Sequence, residues 1–468
     1  MQILPSSQQP AGQGTPGLEL APFRGVRYSQ DRVSGLAEVT SPPYDVIAGD
    51  NEDQLLAADP HNIVRIIRPR HPAGQPGTPW QDAADSLGNW LTEAVLVPDS
   101  QPALYVYEQL TPAQGGVPGL LQRGLIGAVR LVPREAGIVQ PHEAVAPGPV
   151  TGRRLLMEAT QANLEPIFLL YDGVTKASDG LADPAALAGP GADPAQPGAA
   201  TRIVTEAAAT RRPLAEARTA DAIRHRLWAI TDAAELAEIA ADLAPRTALI
   251  ADGHHRYAAY LQLQERRQQA GDGAGPWDFG LALLVDSAAY PPHVGAIHRV
   301  IPGLDAERAV GLAQSAFTVR ELPGGTADLA AALRELDAAA RQGVAFLVAG
   351  DGRAALLTDP DPAQLAEAMA GQPDGLWQRL PAAVLQDLLM ARVWEIPDDE
   401  ATVRVIHDPE TAVRAAQEAP GTTAVLCSPM TAADVYEVAA MGRIVPRKST
   451  SFGPKPRTGL VIRTFAQG

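Results

Sequence analysis

Short apolar runs alternate with helical periodicity along most of the chain from Leu20 onward. Apolar runs bounded by turn residues are typical of buried strands, and apolar residues spaced three and four positions apart are typical of amphipathic helices. The runs predict strands at 62–67, 103–107, 124–131 and 166–171. The helical spacing predicts helices at 52–58, 80–95, 152–163, 234–243, 254–269, 305–316, 326–341, 362–370, 380–392 and 409–418. Strands that alternate with helices predict an α/β fold or a mixed α+β architecture.

Changes in composition divide this pattern into regions. Residues 1–18 are rich in Gln, Pro, Gly and Ser without periodicity, which is typical of a disordered tail. The rest is predicted to form an N-terminal α/β region at 19–135, a core at 136–300 and a C-terminal α+β lobe at 301–468. A stretch rich in Pro, Gly and Ala at 189–199 predicts a surface insertion within the core, at about 172–246.

Composition and charge restrict the class of protein. The formal net charge of −16 opposes a nucleic-acid partner, because affinity for nucleic acid depends on cations that neutralise backbone phosphates. No apolar run reaches the roughly 18 residues of a membrane span, and the N-terminus lacks a basic segment followed by an apolar one. We therefore expect a cytoplasmic protein without a membrane partner. Cys427 is the only cysteine, which excludes an intrachain disulfide, and no pattern indicates the oligomeric state.

A strand, a glycine turn and a helix meet at 248–256. The apolar run at 248–251 leads into Asp252 and Gly253, and an amphipathic helix follows from His254. Free N–H groups at the start of a helix bind phosphate, and Gly253 lets the backbone approach it without a side chain between. His254, His255 and Arg256 are candidate phosphate ligands in the first helical turn, and Arg256 can add a forked contact. Asp252 fits a magnesium ligand or a base that accepts a hydroxyl proton.

Other interpretations of this turn stay open. Asp is a favoured residue at helix starts, and two histidines can be half-buried polar residues without a ligand. A metal held by both His254 and His255 conflicts with helix geometry, because adjacent residues point about 100° apart.

A second candidate phosphate site lies near the C-terminus. Only three of the 38 basic residues are lysines, and two of these, Lys448 and Lys455, lie close together. Ser449 and Thr450 place hydroxyl groups beside these ammonium groups, as a phosphate clamp requires. The segment is not a P-loop, because the Gly-rich spacing before Lys-Ser/Thr is absent. A solvated basic loop is the alternative.

The Asp-Gly-His-His-Arg sequence at 252–256 resembles the signature turn of the ParB/sulfiredoxin-like superfamily, and free serine kinases carry the same five residues. Residues 141–171 are similar in order as well, with Pro-His-Glu, a helix that carries Arg153 and Arg154, and a strand that begins Pro-Ile. The resemblance implies a ParB/sulfiredoxin-like core at 136–300. It also implies that Glu143 activates a substrate hydroxyl, and that Mg²⁺ and ATP or ADP are used.

The chain as a whole resembles the family known as domain of unknown function 1015 (DUF1015), over about 19–464. The residues that carry this resemblance lie at 22–25, 41–47, 142–143, 251–257, 298–300, 446–450, 454–455 and 458–460. The family label names no reaction.

Further candidates for substrate binding lie outside the two phosphate sites. The prolines at 42 and 43 stiffen the segment that carries Tyr44 and Asp45, which fits either a substrate contact or a structural turn. Arg153 or Arg154 can clamp a phosphate or a carboxylate, or line a solvated face. Arg299 follows a Pro-rich turn and is a candidate as well.

These residues lead to a predicted nucleotide-dependent phosphotransferase that acts on the hydroxyl of a small metabolite, with serine or a related hydroxy acid implied by the resemblance. A non-catalytic sensor of nucleotides or phosphometabolites would use the same turn. A ParB-like DNA-binding protein conflicts with the acidic charge. Sulfiredoxin chemistry requires a nucleophilic cysteine where His254 stands.

Overall fold

The structure, a computed structural model, describes residues 17–47, 50–72, 74, 76–113, 119–174, 197–372, 375–399 and 401–467. The predicted disordered tail lies outside these residues apart from Gly17 and Leu18, and Leu18 is buried in the core. Most of the Pro/Gly/Ala-rich stretch at 189–199 also lies outside them.

The strands of the described residues are β1 (Leu20–Ala21), β2 (Val26–Tyr28), β3 (Leu96–Pro98), β4 (Leu104–Leu110), β5 (Leu121–Arg130), β6 (Val139–Gln140), β7 (Ala162–Asn163), β8 (Ile167–Tyr171), β9 (Ala215–Arg218), β10 (Arg224–Ile230), β11 (Ala248–Asp252), β12 (Phe279–Asp286), β13 (His293–Gly295), β14 (His298–Pro302), β15 (Thr318–Glu321), β16 (Phe346–Gly350), β17 (Arg353–Thr358), β18 (Arg404–Ile406), β19 (Thr422–Cys427), β20 (Ser451–Gly453) and β21 (Arg463–Thr464).

The α-helices are α1 (Leu36–Val39), α2 (Asp50–Ala58), α3 (Val64–Ile67), α4 (Pro79–Thr92), α5 (Pro147–Thr160), α6 (Ala199–Thr210), α7 (Ala233–Leu243), α8 (His254–Gln269), α9 (Ala306–Ala313), α10 (Leu329–Ala340), α11 (Pro362–Ala368), α12 (Leu376–Arg379), α13 (Pro381–Ala383), α14 (Pro409–Glu418) and α15 (Ala432–Ala440). A π-helix, Val384–Val393, continues directly from α13.

The larger sheet has nine strands in the order β6-β11-β8-β12-β5-β4-β10-β9, and β1 also pairs with β5. The pairs β6–β11 and β8–β12 are parallel, and the remaining pairs are antiparallel. The central strands are buried along almost their whole length, as expected when both faces of a sheet are covered. β9, β10, α6 and α7 lie within the predicted insertion at 172–246, so part of this segment extends the sheet.

The smaller sheet belongs to the C-terminal part of the chain. Its six strands lie in the order β15-β17-β16-β19-β14-β18, and each pair is antiparallel. Helices α9, α10 and α14 pack against it.

The last residues of the chain pack beside the larger sheet without joining it, and the side chains of Gln109 in β4 and Gln122 in β5 donate hydrogen bonds to the Lys455 and Pro454 carbonyls. β20 pairs with β13, and β21 pairs with β7. Between them, Thr458 and Ile462 form backbone bridges with Ser41 and Val26. The lysine-bearing segment therefore crosses the end of β11, where the predicted phosphate turn lies.

The mixed α/β class is confirmed, and each predicted helical segment contains a helix. The predicted strand at 62–67 is wrong, because Val64–Ile67 is helical. The Asn62 side chain accepts a hydrogen bond from the Val64 N–H at 2.9 Å, which favours a turn, and the isoleucines and valine that suggested a strand are buried by tertiary packing instead. None of the described helices combines the length and the apolar character that crossing a bilayer requires.

Candidate active site

The turn between β11 and α8 requires glycine. β11 is buried throughout, and its pairing with β8 shifts register between Ile250 and Asp252. Gly253 has a φ of 93°, and a Cβ there would lie 3.0 Å from Ile167 Cγ2 and 3.1 Å from Arg256 Cζ. The left-handed backbone conformation favours glycine, and so does the lack of space for a side chain. Helix α8 therefore begins one residue after the end of β11.

Asp252 is buried and is the centre of an ion network. Its Oδ1 lies 2.5 Å from Lys455 Nζ, and its Oδ2 lies 2.5 Å from a terminal nitrogen of Arg256. Lys455 also reaches Asp45 Oδ2 at 3.4 Å. Three segments that are distant along the chain, at 45, 252–256 and 455, are thus joined by four alternating charges.

Burial opposes the charges of Arg256 and Lys455, but the neighbouring carboxylates outweigh it. Arg256 is 3% exposed, and Asp252 and Glu165 raise the pKa of its guanidinium above the ordinary value. Asp252 and Asp45 likewise raise the pKa of Lys455. For Asp45, burial alone would raise the pKa, but Lys455 and Arg256 lower it overall. Arg256, Lys455 and Asp45 therefore stay ionised around neutral pH.

His254 and His255 hold the segment that carries Glu143. His254 Nε2 accepts the N–H of His142 at 3.3 Å, and His255 Nε2 accepts the N–H of Ala146 at 3.0 Å. We call residues 142–146 the Glu143 segment. Adjacent histidines on one helical turn point in different directions, which lets each hold a different end of the segment.

These contacts require neutral imidazoles, and the structure keeps them neutral. Burial lowers the pKa of His142 to about 4 and lowers that of His254 well below the ordinary value. The pKa of His255 is also lowered, first by burial and then by Lys448. An unprotonated nitrogen is thus available to accept each backbone N–H.

The C-terminal loop at 445–450 packs onto the Glu143 segment. Val445 donates its N–H to the His142 carbonyl at 2.8 Å, and Thr450 Oγ1 lies 2.9 Å from His142 Nε2. Ser449 is buried and donates its hydroxyl to the Pro446 carbonyl at 2.7 Å. The Lys448 side chain is 42% exposed, and its Nζ lies 3.8 Å from Glu143 Oε1.

A cavity of about 480 Å³ opens beside Glu143. Its volume is within the range of small-molecule sites. The Glu143 segment, His255, the 444–448 loop and residues between 372 and 387 line it. The lining residues are Glu143, Ala144, Val145, Ala146, His255, Gln372, Trp377, Gln386, Asp387, Ile444, Val445, Pro446, Arg447 and Lys448.

Other predicted site residues are engaged elsewhere in the protein. The Arg153 guanidinium stacks 4.1 Å from the Tyr44 ring and donates to the Ile67 carbonyl, and Glu165 accepts the Tyr44 N–H at 3.0 Å. Arg154 pairs with Glu158, one turn along α5.

Arg299 is buried at a distance from this network. It pairs with Asp398 at 2.9 Å and donates to the carbonyls of Arg447 and Lys448. It thereby fixes the loop that carries Lys448. Its predicted substrate contact has no geometric support.

Glu165, Trp377, Gln386 and Asp387 were not among the predicted site residues. Glu165 could have been noticed, because it directly precedes the buried strand that begins at Ile167. The other three lie in helical segments without a motif, and only the tertiary fold brings them to the cavity.

A resident Mg²⁺ does not fit the protein groups at this turn. Both carboxylate oxygens of Asp252, the predicted metal ligand, already contact cations. In the described part of the chain, no three His, Cys, Asp or Glu side chains are grouped so that they could hold a metal. The only thiol, Cys427, is buried, which raises its pKa to about 12 and removes it as a nucleophile.

Solved structures similar to this chain include three of low identity. A free serine kinase in complex with AMP is 15% identical at a TM-score of 0.34, covering 71% of this chain and 91% of that one. SbnI with a C-terminal truncation, from Staphylococcus aureus, is 10% identical at a TM-score of 0.32, and the match covers 69% of this chain and 82% of SbnI. A conserved hypothetical protein from Pyrococcus furiosus is 13% identical at a TM-score of 0.32, and the match covers 71% of this chain and 94% of that protein. These TM-scores lie under 0.5, so the likeness indicates no function for this chain.

No curated protein matches the chain. A family model described as "Protein of unknown function (DUF1015)" matches residues 20–189 and 192–383. These two segments cover most of the chain and confirm the resemblance carried by the motifs. The chain therefore belongs to the DUF1015 family.

Proposed function

We propose that the protein is a phosphotransferase that binds the phosphates of ATP or ADP at the start of α8 and transfers the terminal phosphoryl group to a small-molecule hydroxyl. The observation that carries this proposal is the convergence at one helix start of Gly253, the Lys455 ammonium and Glu143. Backbone N–H groups and the helix dipole favour an anion there, and Lys455 adds a positive point charge.

In the proposed step, Glu143 accepts the proton of the acceptor hydroxyl. The hydroxyl oxygen forms a bond to the terminal phosphorus, the bond from that phosphorus to the bridging oxygen breaks, and ADP or AMP leaves. Glu143 suits this role because it lies at the cavity wall on a segment held by two histidines. Asp252 suits it less, because its charge is already compensated by two cations. The chemistry then needs mainly positioning and charge stabilisation.

The sequence motif at 252–256, shared with free serine kinases, suggests serine and related hydroxy acids as the first acceptors to test. We expect purified protein to form a phosphorylated product with ATP or ADP. Glu143→Gln should lower turnover roughly 100-fold or more, because general-base catalysis contributes on that scale, and nucleotide affinity should stay unchanged. Lys455→Met should instead weaken nucleotide binding about tenfold, as loss of a charge-assisted contact predicts.

The matched control is Glu135→Gln, since Glu135 is an exposed carboxylate just upstream of the Glu143 segment. It should change neither turnover nor binding. Tight nucleotide binding by calorimetry without turnover would favour the sensor function instead. Absence of both binding and product would reject the proposed site.

A further inference from the structure

One side of the cavity has no role in the proposed phosphoryl transfer. Trp377 of α12, with Gln386 and Asp387 of the π-helix, lines the same cavity as the Glu143 segment. π-Helical geometry is rare in proteins, but where it occurs it often lies at a functional site. This side is therefore the place to look for groups that recognise the rest of a substrate.

Asp387 is a carboxyl group without a counter-charge. It accepts a hydrogen bond from Gln386 Nε2 at 3.0 Å, and it forms no ion pair with any residue that the structure describes. It is half-buried, and burial raises its pKa. A partly buried carboxylate without a cation destabilises a fold, so its presence at a cavity wall points to a partner from outside the chain.

The cations nearest to the cavity have other partners. Lys448 lies beside Glu143, and Arg447 lies 4.0 Å from Asp398. The remaining lining is largely apolar, with the Trp377 indole and the side chains of Val145 and Ile444. A carboxylate and an aromatic ring that line one cavity are a combination that binds an ammonium group, through charge and through the ring face.

We propose that this side of the cavity binds the ammonium group of a small amino alcohol, with Asp387 and Trp377 as its recognition residues. The hydroxyl of the same molecule then points toward Glu143 across the cavity. The identity of the molecule as a phosphoryl acceptor depends on the proposed function, whereas the ammonium site does not.

The test is calorimetric titration of ethanolamine and serinol into the wild-type protein and into Asp387→Asn. We expect both amines to bind the wild-type protein, and Asp387→Asn to weaken binding roughly tenfold or more, because a charge-assisted contact is lost. Glycerol and glycerate, which lack the amine, should bind neither protein to a comparable extent. Asp337→Asn on α10 is the matched control, since Asp337 is exposed and does not line the cavity.

Urea unfolding shows whether Asp387→Asn is folded, and we expect its midpoint to be equal to or above that of the wild type. The proposal is overturned if neither amine binds the wild-type protein, or if Asp387→Asn binds them with unchanged affinity. A parallel ADP titration separates the two proposals. Amine binding without ADP binding would reject the phosphotransferase alone, and ADP binding without amine binding would reject the ammonium site alone.

Discussion

Gly253 shows how one residue determines the geometry of the turn. A side chain at this position meets both a positive φ and close contact with Ile167 and Arg256. We expect Gly253→Ala to lower the free energy of unfolding by about 1–3 kcal/mol, from backbone strain and overpacking. Displacement of Arg256 should also disturb the Asp252 network and weaken ADP binding. Urea unfolding and calorimetry measure the two effects.

Gly311 provides the control for this substitution. It lies inside α9, and a Cβ there would meet no atom within 4 Å. Gly311→Ala should stabilise the protein by up to about 1 kcal/mol, since alanine favours a helix interior. Equal stability of the two variants would contradict the steric account of Gly253.

At the scale of residues, the sequence indicated candidate residues such as Lys455 and Arg256, but it did not indicate their contacts. Lysine is rare in this chain, which drew attention to Lys455, and the closeness of Lys455 to Lys448 in the sequence suggested a phosphate clamp. Local sequence pattern could not predict that Lys455 pairs with Asp252 and Asp45, because these residues meet only after the end of the chain folds back beside the larger sheet. Arg256 was likewise noticed for its charge, and its full engagement with Asp252 and the Pro166 carbonyl depends on burial.

Among the elements, α8 and the Glu143 segment act as one unit, because His255 accepts the Ala146 N–H. We expect His255→Phe to remove this acceptor and loosen the segment. Turnover should fall roughly 10- to 100-fold from misplacement of Glu143, with nucleotide affinity unchanged. Hydrogen exchange at the Ala146 amide should accelerate, whether or not the protein proves to be a phosphotransferase.

A conservative replacement separates positioning from general damage. The side-chain oxygen of His255→Gln can accept the same N–H and should restore part of the protection and of the turnover. His293→Gln on the exposed surface of β13 should have no effect. Unchanged exchange at Ala146 in His255→Phe would show that the histidine does not hold the segment.

The elements themselves were predicted where periodicity is long. The prediction for 254–269 matches α8 at both ends, because apolar spacing and a glycine turn agree. The segment at 62–67 misled because its apolar run is short, and such runs do not distinguish a strand from a buried helical turn. The π-helix was predicted only as a helix, since its unusual turn has no distinct hydrophobic period.

At the scale of the whole molecule, the cavity depends on parts of the chain that are far apart in sequence. The Glu143 segment, the π-helix and the 444–448 loop each supply a side of it. The family motifs include residues 142–143 and 446–450 but none of the π-helix, and their order along the chain did not indicate that these segments meet. The predicted domain boundary at 135 also crosses the larger sheet, since β4 and β5 pair within the same sheet as β11.

Buried histidines distributed over both sheets give the whole protein a predictable acid sensitivity. Burial lowers the pKa of His142, His225 and His298 to about 4, from an ordinary value of 6.5. Between these values the unfolded chain binds protons that the native protein does not. Native stability is therefore complete above about pH 6.5 and is lost progressively as the pH falls toward 4.

Each such histidine contributes a slope of up to about 1.4 kcal/mol per pH unit. The free energy of unfolding, measured in urea at pH 7.5, 6.5 and 5.5, should fall mainly over the last interval, where most carboxylates stay ionised in the unfolded chain. His225→Gln should reduce this slope by about the contribution of one histidine, because the His225 side chain lies between Tyr107 and Thr219 and burial lowers its pKa to about 4. A free energy of unfolding that is constant down to pH 5.5 would mean that these imidazoles are protonated in the native protein at that pH.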